Sequence, residues 1–419
     1  MRAYQKTHPW LKFEVDLRHA PVSLWLLLGE ARSKCEHLAG VPLRPDTAKH
    51  LHKVSLARGV LATTAIEGNT LTEEQVLKHL DGQLQLPKSQ EYLATEIDNI
   101  IKALGRVWED GRNRERGRLS TAQIKEFNRL VLANIHLDDG IVPGEFRGYS
   151  VGVGGYRGAP AEDCEFFVDK LCEWLNGSAF DASEEVGGIT MAILKSVLAH
   201  LYLAWIHPFG DGNGRTARLV EFKLLVDAGV PTPAAHLLSN HYNQTRSEYY
   251  RQLDQASKSG GDVVPFIVYA VQGFVDQIRA QLVEVRGQQL DVAWRNYVHE
   301  RFQSRNSKAD VRRRHLMLDL SKKVKPIPLT ELSSISPRIA AAYAKKTAKT
   351  LTRDVNDLQS MGLLHKGKDG VRAKKEIILA FLPRSATETG MVDILTTNMT
   401  DLLEQLAQGS SPSIVVQVS

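Results

Sequence analysis

The sequence predicts a mainly α-helical protein with one short β-hairpin, and three observations carry that expectation. Apolar residues recur at three- and four-residue intervals along most of the chain, as in Leu194, Val197, Leu198, Leu201 and Trp205. Strand-like alternation is confined to a few places. The chain has 419 residues, of which 43 % are hydrophobic, so it can bury at least one sizeable core and is not disordered throughout.

Charge and cysteine content narrow the function classes. Lys and Arg total 53 against 48 for Asp and Glu, a formal charge of +5, and the charged fraction of 24 % is ordinary for a globular protein. No obligatory nucleic-acid partner follows from the whole chain; only local clustering can argue for one. Cys35, Cys164 and Cys172 form no CxxC pair, which argues against a disulfide framework or a structural zinc site and for a reducing compartment. The apolar run from Val22 to Leu28 is too short to span a bilayer and lacks a cleavage pattern, so a cytoplasmic protein with no membrane partner is expected.

In chain order, residues 1–110 read as an N-terminal helical region, with a helical pattern running from about Pro45. Asp110 to Leu119, DGRNRERGRL, is polar and glycine-containing and reads as a boundary to a central domain, 111–302. Within that domain the stretch PGEFRGYSVGVGGYRGAP, Pro143 to Pro160, alternates Val151 and Val153 with small residues and predicts a hairpin or flap between helices. QSRNSKAD, Gln303 to Asp310, marks a second boundary. The third domain, 303–385, reads as helix (Asp310–Lys322), two short helical stretches (Leu329–Ser334 and Pro337–Ala344), helix (Thr347–Met361) and a strand-turn-strand. The tail, 386–419, is rich in Ser, Thr and Gln and holds one amphipathic pattern, Met391 to Leu406.

The most informative window is HPFGDGNGRTAR, His207 to Arg218, between two helical patterns. Gly212, Asn213 and Gly214 adopt positive φ at low cost, so successive N–H groups can form an anion nest at the N-terminus of the next helix. Arg215 and Arg218 fall three apart on one helical face, where two guanidinium forks suit a polyphosphate. Asp211 is a lone carboxylate beside the nest and suits Mg²⁺, which takes one or two carboxylates and completes its shell with phosphate and water. His207 is placed to act as a general base. Each feature alone has a plain structural reading; together they put a base, a metal carboxylate, a nest and an arginine pair within one short window.

HPFGDGNGRTAR resembles the Fic family signature HPFx(D/E)GNGRxxR at every fixed position. The resemblance extends over roughly Leu119 to Asp276, including GEFRGYSVGVG at Gly144 to Gly154 and SEYYRQL at Ser247 to Leu253. It implies an all-helical core that transfers AMP from ATP to a Ser, Thr or Tyr hydroxyl of a target protein and releases pyrophosphate. On that resemblance His207 deprotonates the hydroxyl, Asp211 holds Mg²⁺, and Gly212, Asn213, Gly214, Arg215, Thr216, Ala217 and Arg218 form the phosphate-binding stretch. Val153 in the flap would align the target segment by strand addition, and Tyr250 would line the nucleoside pocket. A Doc-like phosphotransferase is disfavoured, because such proteins carry a lysine where this sequence has Asp211. AMP removal by the same site and a DNA-binding regulator with the core as a nucleotide sensor are the alternatives.

Upstream, TTAIEGN at Thr63 to Asn69 reads by itself as a helix ending at Gly68, with Glu67 unfavourably placed near the negative end of the helix dipole. It resembles the Fic inhibitory motif (S/T)xxxE(G/N), which implies that Glu67 pairs with Arg218 and denies it to the γ-phosphate. In the third domain, KTLTRDVNDLQSMGLL at Lys349 to Leu364 resembles the recognition helix and first wing strand of a winged helix, with Lys368-Asp369-Gly370 as the wing turn. Ten Lys or Arg against three Asp or Glu between Arg338 and Lys375 suit either DNA phosphates or a solvated face that binds protein. Oligomeric state, including a homodimer, stays open.

Overall fold

A computed structural model describes residues 4–112, 118–153, 155–181 and 187–379. The amphipathic pattern from Met391 to Leu406 and most of the polar stretch after Asp110 lie outside the described residues. The chain divides into two compact units, 1–282 and 283–419.

Unit 1 is helical apart from one hairpin. Its helices are α1 (Tyr4–Thr7), α2 (Val22–Ala39), α3 (Pro45–Ala65), α4 (Glu73–Leu80), α5 (Glu91–Arg112), α6 (Thr121–Val131), α7 (Cys164–Leu175), α8 (Gly188–Ile206), α9 (Asn213–Asp227), α10 (Thr232–Ala235), α11 (Leu237–Gln244), α12 (Arg246–Lys258) and the start of α13 (Val264–Arg301). Local chemistry fixes several starts. Pro45 opens α3 at a position whose N–H needs no partner. Capping boxes of Thr72 with Gln75 and Ser120 with Gln123 open α4 and α6. Strands β1 (Gly152–Val153) and β2 (Tyr156–Arg157) pair antiparallel, with Val153 opposite Tyr156, between α6 and α7.

The core is built around α8 and α9, joined by the loop that holds the HPFGDGNGRTAR window. By length and composition Gly188–Ile206 is long and apolar enough to cross a bilayer. The reason is burial inside protein: 78 % of that window is covered by the fold, and a helix apolar all round is what a central core position demands. Residues of α2, α3, α5, α6 and α7 pack into the same core, so the N-terminal helices and the central region form one unit rather than meeting at a boundary near residue 110. Beneath α9, His200, Glu221, Tyr242 and Tyr249 form a buried polar cluster: Tyr242 donates to Glu221 at 2.9 Å, and His200 Nε2 lies 2.7 Å from the Tyr249 hydroxyl. Cys35, Cys164 and Cys172 are free and buried.

Unit 2 begins inside α13, twenty residues before the sequence boundary at 302/303, because Trp294 and Val298 on the last turns of that helix belong to its core. There follow α14 (Lys308–Leu320), α15 (Pro337–Tyr343), α16 (Ala348–Ser360), β3 (Leu364–Gly367) and β4 (Gly370–Ala373). β3 and β4 pair antiparallel from Leu364 opposite Ala373 to Gly367 opposite Gly370. Ile327 adds a bridge to Val371, and Gly370 at φ 132° passes so close to the Ile327 carbonyl that a Cβ there would sit 2.4 Å from its oxygen.

Among the described residues of unit 2, Asp319 and Glu376 are buried and one carboxylate is wholly enclosed. Asp354 on α16 is fully buried and accepts from Arg312 Nε at 2.7 Å, Arg313 Nε at 2.9 Å and the Tyr343 hydroxyl at 2.8 Å. Burial alone would raise its carboxyl, but the hydrogen bonds and the arginine charge outweigh it and hold the group below its ordinary value. Removing one member of such a cluster leaves the others charged and unpaired. Asp354→Ala should therefore destabilise unit 2 by about 3 to 5 kcal/mol, read as faster hydrogen exchange of the α14 and α16 amides in the full chain. A loss under about 1 kcal/mol would mean the arginines find water instead.

Candidate active site

The loop between α8 and α9 is held by side chains that bond backbone. His207 closes α8 in the left-handed conformation, φ 50° and ψ 58°, where a non-glycine residue costs about 1 to 2 kcal/mol. Its N–H donates to the Leu203 carbonyl at 2.9 Å. Its own carbonyl accepts from Arg147 Nε at 2.7 Å. Arg147 is buried, and its other nitrogens donate to the carbonyls of Tyr149 and Ala159, both at 2.5 Å, so one guanidinium ties the hairpin segment to the loop. Asn213 locks the loop from the other side: its amide donates to the Phe209 carbonyl at 2.8 Å and its oxygen accepts the Phe209 N–H at 2.9 Å. Asn128 on α6 donates to the Asp211 carbonyl at 2.9 Å and accepts the Gly144 N–H at 2.9 Å.

Gly212, at φ 74°, turns the chain into α9, which begins at Asn213, six residues before the Leu219 start of the sequence pattern. Arg215, Thr216, Ala217 and Arg218 therefore all lie in the first two turns, whose leading N–H groups have no partner within the helix. The Asn213 side chain is spent on the loop, which leaves its backbone N–H as the part that can meet an anion.

Both arginines are buried, at 5 % and 2 % exposure, and both face carboxylates. Arg215 Nη2 lies 3.3 Å from each Asp211 oxygen, and its Nη1 is 3.6 Å from Glu96. Arg218 Nη2 donates to Glu67 at 2.6 Å and to the Thr63 carbonyl at 2.8 Å. Neither pairing fills its guanidinium: Nε and Nη1 of Arg215, and Nε and Nη1 of Arg218, are buried with no hydrogen-bond partner among the described residues. Buried guanidinium donors left open in this way call for an anionic acceptor, and all four belong to residues of the first two turns of α9.

Glu67 reaches this point from a turn. α3 ends at Ala65, two residues before Glu67 and earlier than the helix end at Gly68 read from sequence, because the chain turns at Ile66 and Gly68 takes φ 106°. Asn69 anchors the turn to α5, donating to the Leu93 carbonyl at 3.0 Å and to Glu96 at 2.8 Å. The Glu67 side chain keeps 34 % of its surface accessible, but protein rings it closely enough for desolvation to act. Burial would raise its carboxyl; Arg218, then Arg215 and His207, pull it below the ordinary range. Its Oε1 rests over Gly214, where a Cβ would come within 2.2 Å of it. Only glycine lets a carboxylate occupy the mouth of the nest.

The His207 imidazole is held to about 4, first by burial and then by the Arg147 charge, against the raising influence of the Ala204 carbonyl, Glu67 and Asp211. It is neutral at pH 7 and able to accept a proton. Of the tyrosine pair on α12, Tyr249 is buried and Tyr250 is 39 % exposed, with Arg246 over its ring and its hydroxyl within electrostatic range of Arg218. Tyr250 is thus a surface residue near the arginines, not a core one. Val153 is placed by the backbone pairing of β1 with β2; Gly154 beside it lies outside the described residues. Three residues of the site escaped the sequence reading: Arg147, Asn128 and Glu96. GEFR gave a signal for the first, an arginine just before a glycine-rich hairpin; the other two are ordinary helix residues until the fold brings them to the loop.

A helical core whose central loop presents a histidine, a carboxylate and two incompletely bonded arginines at a helix N-terminus has the chemistry to receive a phosphate group. Residues 118–225 match the model described as Fic/DOC family, and over this stretch the chain carries a Fic domain. Relatives include protein adenylyltransferase fic-1 of Caenorhabditis briggsae, 31 % identical over 55 % of this chain and 43 % of that one. Protein adenylyltransferase Fic of Nematostella vectensis is 27 % identical over 59 % of this chain and 53 % of its own. The chain thus spans about half the length of these relatives. Among solved structures, Fic-1 from C. elegans covers 64 % of this chain and 74 % of its own at a TM-score of 0.53 and 24 % identity. A Fic family protein from Desulfovibrio desulfuricans covers 83 % and 91 % at 0.50 and 20 % identity. These two show the fold.

Arg147 supplies a test of the electrostatics. Arg147→Met removes a cation that lowers the His207 pKa, so the imidazole should titrate above its wild-type value of about 4, while Arg147→Lys, which keeps the charge, should shift it less. Histidine C2–H chemical shifts followed against pH read this directly, with His207→Gln assigning the resonance.

Proposed function

We propose that this protein transfers the AMP moiety of ATP to a hydroxyl side chain of a target protein, and that Glu67 restrains the reaction. The observation that carries the reading is the set of four buried, unfilled guanidinium donors of Arg215 and Arg218 at the N-terminus of α9, with Glu67 competing for the same place. The similarity of half the chain to protein adenylyltransferases supports AMP as the transferred group.

In this reading the α9 N–H groups and Arg215 hold the triphosphate, and Arg218 takes its outer phosphate once Glu67 yields. His207 accepts the proton of the incoming hydroxyl as that oxygen bonds to the α-phosphorus and the bond to the bridging oxygen breaks, releasing pyrophosphate. Near neutral pH a base at about 4 is unprotonated but weak; phosphate charge brought beside it raises its proton affinity toward the useful range. In this reading Val153 on the hairpin pairs with an extended target segment, and Tyr250 flanks the nucleoside. Asp211 is the carboxylate suited to Mg²⁺, half exposed at 45 % and beside the phosphate position. Among the described residues no group of three or more His, Cys, Asp or Glu side chains could hold a metal ion; the other ligands of Mg²⁺ at Asp211 would be phosphate and water. The ion would supply charge compensation for the leaving pyrophosphate.

ATP labelled at the α-phosphate should mark protein substrates and ATP labelled at the γ-phosphate should not; the reverse pattern would make the reaction phosphate transfer. His207→Ala should retain ATP binding yet lose transfer. For the restraint, a charge-assisted pair of this kind contributes about 1.5 to 3 kcal/mol, and the partial exposure of Glu67 argues for the lower end. Glu67→Gly should therefore raise self-modification by about tenfold or more, and the double variant Glu67→Gly, His207→Ala should be inactive. Equal rates in wild type and Glu67→Gly at saturating Mg²⁺ would remove Glu67 from regulation.

A further inference from the structure

The hairpin of unit 1 is small for a platform. Its strands, Gly152–Val153 and Tyr156–Arg157, hold two residues each, and a two-stranded ribbon of that size is not stable without outside support. One support is the end of α8: the Tyr156 hydroxyl donates to the Trp205 carbonyl at 2.8 Å, and the Ala159 N–H donates to the Ile206 carbonyl at 3.2 Å. A second is His8, 149 residues away from Arg157 in sequence and 5 % exposed, whose Nε2 lies 2.9 Å from the Arg157 carbonyl. The segment that carries His8 is itself fixed. Tyr4 meets Phe167 on α7 with ring centroids 4.6 Å apart, Leu11 is buried in the core, and Trp10 lies against Gly261, where a Cβ would come within 2.8 Å of the tryptophan Cβ.

A carbonyl only accepts, so the proton of the neutral His8 ring is on Nε2, and Nδ1 accepts from the Thr7 hydroxyl 2.9 Å away. Burial, with the charges of Arg147 and Arg157, holds the imidazole below its ordinary value against the raising effect of the Arg157 carbonyl, so the ring is neutral at pH 7. The Gly158 N–H donates across the hairpin to the Val151 carbonyl at 3.1 Å. The Arg157 carbonyl belongs to the same peptide unit as that N–H and therefore points away from β1. His8 thus covers the outer edge of β2. By the same alternation, exposed Gly152, beside Val153, turns its N–H and C=O away from β2, which puts them on the outer side of β1.

We propose that His8 is a positioning residue for target binding: by donating to the Arg157 carbonyl it fixes the hairpin and directs strand addition to β1. The proposal rests on the reading in which the hairpin receives an extended target segment. A histidine that only filled space would need its ring and not its donor. That ring lies 5.0 Å from Trp10 and edge-on to Tyr156 at 6.2 Å, contacts that phenylalanine reproduces. Glutamine lacks the ring but brings an amide N–H close to the position of Nε2. The two variants therefore separate packing from the hydrogen bond.

In the full chain, hydrogen exchange of the Gly158 and Ala159 amides reports on the hairpin without nucleotide or target. His8→Phe should speed both by about fivefold, the weight of one hydrogen bond, while the α8 amides from Val197 to Leu201 exchange as in wild type. His8→Gln should restore the wild-type rates. Thr7→Val, on an exposed residue, should give a smaller rise in the same two amides, because the ring loses the hydroxyl that selects its tautomer. Transfer gives the second readout, with α-labelled ATP and β-casein, an unfolded chain bearing Ser, Thr and Tyr, as the acceptor. His8→Phe should raise the KM for casein by about fivefold with kcat and the KM for ATP unchanged, and His8→Gln should reverse the rise. Unchanged exchange in His8→Phe, no rescue by His8→Gln, equal acceleration along α8, or an unchanged KM for casein would each overturn the proposal. A chain that labels neither casein nor itself removes the AMP-transfer reading instead, and wherever casein is not labelled the exchange rates alone decide for or against His8.

Discussion

A buried guanidinium must have an anion, and the arrangement of unit 1 around Arg218 follows from that demand. The side chain is 2 % exposed at the positive end of α9, where two like influences, its own charge and the helix dipole, add. The fold answers with a carboxylate delivered from the turn after α3, 151 residues away in sequence. To bring Glu67 there, α3 must stop at Ala65, Gly68 must turn at positive φ, Asn69 must hold the turn to α5, and position 214 must carry no side chain. Burial opposes ionisation of both partners, yet each is held in its charged form by the other. An internal pair of this sort is well matched in sign and incomplete in hydrogen bonding, and on the function proposed here a phosphate that fills more of the donors replaces it.

The same loop shows how one arginine can act through backbone alone. Arg147 meets carbonyls, those of His207, Tyr149 and Ala159, and it holds His207 in a conformation that a helix end usually assigns to glycine. The strain sits at the residue proposed to accept the proton, where packing on both sides of the loop overdetermines it. Arg147 also places a cation near the imidazole, so position and proton affinity are set together.

Much of this was legible in the sequence, for reasons that differ by residue. The twelve-residue window from His207 to Arg218 announced itself because nest, arginines and base must be local to share one helix end. The order of elements in unit 2 was legible because each has a clear period and a turn residue, Pro337 or Gly370, at its edge. The start of α9 was not, because its first two turns are polar and the apolar pattern begins only at Leu219. Nor was the unit boundary inside α13, since a helix that serves two cores keeps one unbroken periodicity. Asn128 and Glu96 have no local signature; only the packing of α5 and α6 on α9 makes them part of the site.

The turn that carries Glu67 belongs to the same chain as the helix end it covers, and that has a consequence for dosage. Under the restraint proposed above, competition between a tethered carboxylate and a diffusing nucleotide is unimolecular on one side: the tether presents Glu67 at a fixed effective concentration however many copies of the protein a cell makes. The balance then moves with the amount of free nucleotide and with whatever bends the turn, and it is blind to expression level. A restraint built in this way cannot be diluted out by growth or titrated away by scarcity of a separate inhibitor.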